Sequence, residues 1–555
     1  MTYSDPDLNV FVRSDGTCKV CGRAGGGEFY NMTDALIYAG TIAGAKIHLP
    51  AGTFDMTARI PLATGITLYG EGDTNTIFNW LSSSSHGFVP ADGTVVEDDF
   101  GETGPPIKYI VTLVGGTYYA KTPAGVTLTS GPSAATVINY ALTHLTAGRL
   151  AKETVLVQCD ATLSACIYLQ NYSTLQLGAT NTLTNNIAGA MLKSVNMAHF
   201  ELCGGHWSNG TMTQGQQMSI YQCDDFYIHD MEIYGDTTLG PRNGTLLLTN
   251  ATHALIENNT IHDNYETSFN NPPAGNNAIY LSNICSNVRV TGNTIYNIGY
   301  TAITNIVNDG QVGFSENLRF DHNNISECYR SGIGLYPGVS TPQGAMGLRS
   351  TIIEDNVVTD VYGIGCYCQG LVQGQGDTYD VIIRNNTISS TGKYTQTSGI
   401  QLDGNLLGIS HANQCYGNTL TNLSCNQGAI RFLNSYYAIV HDNTITLRGN
   451  TIGFYLQGAG YCNIYDNTVT SPMYGVEIMP YVDAAPMDSS SYNIINGNTI
   501  NSPKDGYACV YIGPTDSGYT QTANQIINNI FHDLGTATDI IDNGTGTIKS
   551  GNVIT

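Results

Sequence analysis

The chain has 555 residues, 41% of them hydrophobic and only 12% charged, with 44 acidic against 21 basic side chains and a formal net charge of −23. This balance excludes a disordered polyelectrolyte and leaves no basic stripe for nucleic acid. No apolar run of about 18 residues is present to span a membrane.

Glycine (63) and tyrosine (35) are abundant. That profile suits a turn-rich β protein with an exposed polar and aromatic surface, of the kind that works outside cells. The opening MTYSDPDLNV is neither a signal peptide nor a basic transit peptide. Residues 1–30 are read as an N-terminal segment. In it Cys18 and Cys21 form a CxxC with no second CxxC to complete a zinc ribbon. Zinc, a disulfide and free thiols all remain open there. Most of the other cysteines of the 14 sit in strand-like apolar patterns, where a free thiol behaves as a small buried hydrophobe.

Residues 33–70 read as short helix, strand, extended strand and a strand ending in glycine, and residues 136–178 repeat that order. A helix in each copy caps the sticky end of a strand stack. We therefore expect a small β module with its capping helix at 31–110, a second cap with the first coils at 111–210, and the main body at 211–555. The polar segment 82–105 reads as a loop or linker.

From residue 254 one phrase recurs: ALIENNTIHD, VRVTGNTIYN, LRFDHNNISE, TIIEDNVVTD, VIIRNNTISS and five further copies. Their central asparagines are Asn259, Asn293, Asn323, Asn356, Asn386, Asn418, Asn443, Asn467, Asn498 and Asn529, separated by 24 to 34 residues. Nearly every preceding residue is Gly, Asn or Asp, the types that tolerate left-handed backbone angles. Each phrase is thus strand, sharp corner, strand, and the repeated asparagines can bond from coil to coil. A second strand per coil (AIYLSN, GIGLYP, GIQLDG, AIRFLN, GFYLQG, GVEIMP) alternates inward apolar pairs with outward residues. In this alignment Ile364/Cys366 and Cys509/Tyr511 are also inward pairs. Coils of this length, with short strands and no long amphipathic helix, predict an all-β, right-handed parallel β-helix.

The stretch IHLPAGTFDMTARIPLATGITLYGEGDTNTIF resembles the opening of pectate-lyase-like β-helix proteins, and the NNTI-type phrases resemble their generic repeat. That superfamily includes polysaccharide lyases, pectin-type hydrolases, uronan epimerases and phage tailspikes. The resemblance covers roughly residues 30–540. It implies polysaccharide as partner, an extracellular or virion-borne setting, and a monomer or a tailspike-like homotrimer. The chain lacks the NTD, GHG and RIK set of pectin-type hydrolases and the DPH signature of uronan epimerases. Asp224-Asp225 resembles the hydrolase DD pair but fills the turn occupied by SN in NICSNVRV.

Function on a β-helix must use outward side chains and loops. Tyr336, Tyr367, Asp403, Arg431, Tyr455, Gln457 and Glu477 fall on one outward face in successive coils, with Gln401 beside them. Aromatic rings stack on sugar faces while polar groups bind hydroxyls. Asp403, Arg431 and Glu477 are the candidate catalytic groups, and Asp377 or Asp380 is expected to lean in beside Asp403. The five remaining residues, Tyr336, Tyr367, Gln401, Tyr455 and Gln457, are expected to bind substrate. Hydrolysis by a carboxylate pair is favoured over elimination led by Arg431 and a tyrosine, and a non-catalytic structural or adhesive β-helix is the alternative. No cofactor is required, although carboxylate-rich loops are where Ca²⁺ would bind. The loop 262–277, with His262, Asp263 and Glu266, and the loop 336–347 are secondary candidates.

Overall fold

The computed structural model describes residues 105–210, 216–235, 244–264, 277–307, 313–336, 346–361, 364–369, 377–390, 398–403, 413–480 (except 426 and 434), 490–513 (except 502) and 521–555. Before residue 105 it describes the strand segments and the helical pair Ala35-Leu36. Among the described residues no helix is long and apolar enough to cross a membrane.

Three long sheets of 18, 15 and 14 strands carry the fold. Each coil sends one strand to the third sheet, turns into the first, then bends at the asparagine corner into the second, and each strand pairs in parallel with its counterpart one coil on. Alternation does the rest. In the strand Asn463–Tyr465 and its neighbours only the central apolar residue points inward, giving buried columns such as Val440, Ile464, Ile495 and Ile526.

The corner is the repeated element that makes this possible. The residue before each ladder asparagine has positive φ, including Asn258, His322, Asp355, Asn385, Asp442, Asp466 and Asn528 (52–56°) and Gly292, Gly417 and Gly497 (63–67°). The bend turns each asparagine inward, where Asn259 to Asn529 are all buried. Its Nδ2 donates to the next coil's Oδ1 in ten consecutive steps from Asn259 to Asn552, at 2.9–3.1 Å. The same Oδ1 accepts the preceding asparagine's backbone N–H at 2.9–3.1 Å. Burying an amide without partners would cost several kcal/mol, on the order of 2–7, and here its oxygen is satisfied only by the preceding coil's donors.

Two antiparallel triplets feed parallel coils. Leu8–Val12, Cys18–Gly22 and Gly25–Phe29 form one, with the first strand also pairing with Lys46–His48. Ile107–Val114, Thr117–Lys121 and Thr127–Gly131 form the other, pairing on to Glu153–Val157. The helix Ala134–Thr143 follows the second triplet, N-capped by Ser133, and buries Ala135, Val137, Ile138, Ala141 and Leu142. Ala35 and Leu36 are helical and buried in the corresponding place after the first triplet. The segment 82–105 departs from the expected loop. It contributes the strands Phe88–Pro90, Val95–Val96 and Gly101–Glu102, each paired in parallel with a strand one coil earlier. Its polar composition hid short pairings that need only backbone groups.

Two inward pairs shift from their expected positions. Cys366 pairs with Ile333, Tyr367 with Gly334 and Cys368 with Leu335, so in register it is Cys366 and Cys368, not Ile364 and Cys366, that stand opposite the buried Ile333 and Leu335. Val510 and Ile512 pair with Val476 and Ile478 and are buried, which turns Tyr511 outward opposite Glu477. Residue spacing within the strand, counted from a leading glycine or alanine, misplaced both by one or two residues.

Ten cysteines among the described residues are free, and nine of these are buried. The side chains of Cys18 and Cys21 lie outside the described residues.

Asn386→Asp keeps the shape of the ladder amide but removes the donor that reaches Ile353 O, Arg384 O and Asn418 Oδ1. A loss of about 3 kcal/mol is expected from the unmade bonds. Urea unfolding should show it, and hydrogen exchange should place the weakening in the coils around residues 356–418.

Candidate functional site

The outward face of the third sheet brings one row into register across six coils: Tyr367, Gln401, Arg431, Tyr455, Glu477 and Tyr511. A second row in register beside it holds Gln369, Asp403, Leu433, Gln457 and Met479, of which Gln457 and Met479 face outward and are part-exposed. The strand Val476–Met479 buries Val476 and Ile478, and this alternation is what turns Glu477 out.

Glu477 is half-buried, and among the described residues nothing hydrogen-bonds or ion-pairs with it. Burial alone pushes its carboxyl up to about 7. Around it stand aromatic rings. Tyr455 and Tyr511 flank it one coil to either side. Tyr474 stacks on Tyr511 with ring centroids 4.9 Å apart and meets Tyr507 edge-on at 5.3 Å. Burial raises the Tyr474 hydroxyl's pKa, and the Glu477 charge adds to that. Two coils before Glu477, Arg431 donates from Nη1 to Gln427 Oε1 and from Nη2 to Gln457 Oε1 at 3.5 Å, while its buried Nε has no partner.

The arrangement offers a carboxyl that still holds a proton near neutrality, aromatic walls, and an arginine–glutamine pair. It can donate a proton to a leaving oxygen and grip a polyhydroxylated chain. Charge in the row is sparse. Neither outward row places another carboxylate within two coils of Glu477.

Asp403 keeps its expected register in the second row, three coils from Glu477, with about 14 Å between the two backbones at a rise of roughly 4.8 Å per coil. That exceeds the span of a hydrolytic carboxylate pair, about 5–9.5 Å. Asp377 and Asp380 belong to the strand Asp377–Arg384 of the first sheet and not to a loop over Asp403. Asp380 is at an exposed corner with φ 52°. Tyr336 sits in the second row but is only 4% exposed, with the Arg330 guanidinium 5.0 Å from its ring centre. Gln401 is likewise buried. Neither presents itself to a ligand, whereas Arg431, Tyr455, Gln457 and Glu477 do. The side chains of Tyr367, Asp377 and Asp403 lie outside the described residues, as do residues 265–276 and 337–345 of the two candidate loops.

Tyr474, Tyr507 and Tyr511 were missed. Aligning the V-x-I of GVEIMP on the V-x-I of ACVYIG would have placed Tyr511 beside Glu477. His262 lies on the second sheet, away from this face. It stacks between Tyr234 (5.6 Å) and Tyr296 (4.8 Å), with Nδ1 2.9 Å from Asp263 and Nε2 3.0 Å from Glu232. Asp225 takes a corner, φ 47°, in keeping with the turn role of Asp224-Asp225.

Residues 348–545 match the family described as periplasmic copper-binding protein (NosD). The chain is a right-handed parallel β-helix protein. No curated protein matches it. Solved β-helix structures similar to it include a surface adhesin of Streptococcus pneumoniae, PfbA, at 12% identity, covering 64% of this chain and 90% of that one with a TM-score of 0.48. The family 28 exopolygalacturonase of Yersinia enterocolitica is 10% identical over 77% of this β-helix chain and 83% of its own, TM-score 0.44. The tailspike of Escherichia coli bacteriophage HK620 is 11% identical over 76% and 77%, TM-score 0.46.

Raising the Glu477 carboxyl in the folded state makes its ionisation oppose folding. Its contribution is intact below about pH 4.5, the ordinary glutamate value, and is lost as pH rises through about 7. Glu477→Gln should remove this loss. The stability difference between variant and parent, from urea midpoints at pH 5 and pH 8, should move in the variant's favour at pH 8.

Proposed function

We propose that this β-helix binds and cleaves an extracellular polysaccharide along the third-sheet face from Arg431 to Tyr511, with Glu477 as general acid. The observation that carries the reading is an unpartnered carboxyl, raised to about 7, set between tyrosines in register. Such an acid protonates a glycosidic oxygen as the bond breaks. The rings would hold the sugar, and Arg431 with Gln457 would bind its hydroxyls. Hydrolysis is preferred over elimination, because elimination needs a base that is already ionised. The net charge of −23 favours a neutral polymer over a polyuronate.

A second reading is supported by the lack of a second carboxylate near Glu477 in the two outward rows. In it the same face only holds polysaccharide, as an adhesive or structural β-helix would.

The test is digestion of a panel of neutral and uronate-bearing polysaccharides by the parent and by Glu477→Gln, with and without chelator. New reducing ends without unsaturated uronate absorbance are expected, falling by about 10²–10⁴ in the variant. Arg431→Ala should raise KM more than it lowers kcat. Unsaturated products would instead identify elimination. Retardation in polysaccharide gels without any product would favour the adhesive reading.

A further inference from the structure

Most described cysteines point into the core, but Cys203 does not. In the strand Ala198–Cys203, Phe200 and Leu202 point inward and are fully buried, leaving Glu201 next to Cys203 on the strand's end beyond them. One coil on, Cys203 pairs in register with His229. Glu201 Oε1 lies 3.2 Å from His229 Nε2 and 3.9 Å from Cys203 Sγ. One oxygen, one nitrogen and one sulfur thus converge, all within 4.8 Å of one another.

Two features give this convergence direction. His229 Nδ1 lies 2.8 Å from the Asp230 carboxylate. Nε2 itself faces Glu201 Oε1 and carries a proton there without a metal. Once that proton leaves, the carboxylate on the far ring nitrogen, the usual outer partner of a ligating histidine, keeps the other proton on Nδ1 and frees the Nε2 lone pair for a metal. Tyr227 also stacks on the imidazole, ring centroids 3.8 Å apart, and holds its plane. The other oxygen of Glu201 is taken by Lys152 Nζ at 2.9 Å, so only Oε1 faces the sulfur and nitrogen.

We propose that Glu201, Cys203 and His229 form a divalent metal site suited to Zn²⁺, with three protein ligands and a fourth position open to water. Borderline-soft Zn²⁺ takes this mixed sulfur, nitrogen and oxygen set. Binding replaces the thiol proton and the Nε2 proton that His229 shares with Glu201; both leave to solvent as the S–Zn and N–Zn bonds form, so no oxidant or reductant is needed. The ligands lie outside residues 348–545 matched by the copper-binding family, and the site does not depend on the polysaccharide reading.

The full chain carrying Cys18→Ser and Cys21→Ser, to remove the N-terminal CxxC, is stripped of metal and titrated with Co²⁺ and Zn²⁺. One equivalent of Co²⁺ is expected to give thiolate charge-transfer and tetrahedral d–d absorption that Zn²⁺ abolishes, with the Cys203 and His229 protons released to solvent. Cys203→Ser should erase the charge-transfer band with an unchanged circular dichroism spectrum. Asp230→Asn, which touches no ligand atom facing the metal, should weaken Zn²⁺ binding about 10–100-fold. No thiolate band in the folded parent, or equal Zn²⁺ affinity in Cys203→Ser and His229→Asn, would overturn the proposal.

Discussion

Everything in this molecule depends on a hydrogen bond that no coil can make alone. The buried corner amide finds a side-chain acceptor only in the next coil and the donors to its oxygen only in the previous one, with backbone carbonyls of its own and the preceding coil taking the rest of Nδ2. Its register therefore fixes that of all three sheets, because a slip of one residue would turn every side chain to the opposite face. The cost of an unmade bond exceeds the gain from making one. The ladder thus acts chiefly against misregistered stacks. Loops of unequal length can leave the coils, because they are inserted between strands and never at the asparagine corner.

Scarce charge is spent in a second ladder on the first sheet. Asp321 is fully buried, and burial alone would raise its carboxyl, but Arg289, with His322 and Arg319 beside it, outweighs this and holds it below the usual carboxylate range. Arg319 reaches on to Glu354, which also receives Arg384. Breaking such a chain at one member strands a desolvated charge, a larger loss than any exposed pair would give. Among the described residues Glu477, on the third sheet, has no such partner, so charge is paired on the first face and left single between tyrosines on the other.

The fold was legible because its rule is written ten times. A left-handed residue before each asparagine, and alternation after it, leave little freedom, and Asn259 to Asn529 take the expected places. The face was legible too: Arg431, Tyr455, Gln457 and Glu477 share it. What escaped was depth and partnership. Composition does not reveal that Tyr336 and Gln401 are covered, nor that Asp377 and Asp380 belong to a different sheet. Those facts depend on loop lengths between strands, which carry no periodicity.

The coil spacing of 24 to 34 residues has a kinetic meaning as well. Every strand meets partners about one coil away in sequence, however long the chain grows, so the mean separation of contacting residues stays fixed while length rises. The entropy of closing each new loop is then the same small, repeated quantity. Assembly can start at any pair of coils and spread in both directions like a zipper, as in other one-dimensional arrays. A long β protein, ordinarily a slow folder because its strands pair across distant stretches of chain, here meets only a series of short searches.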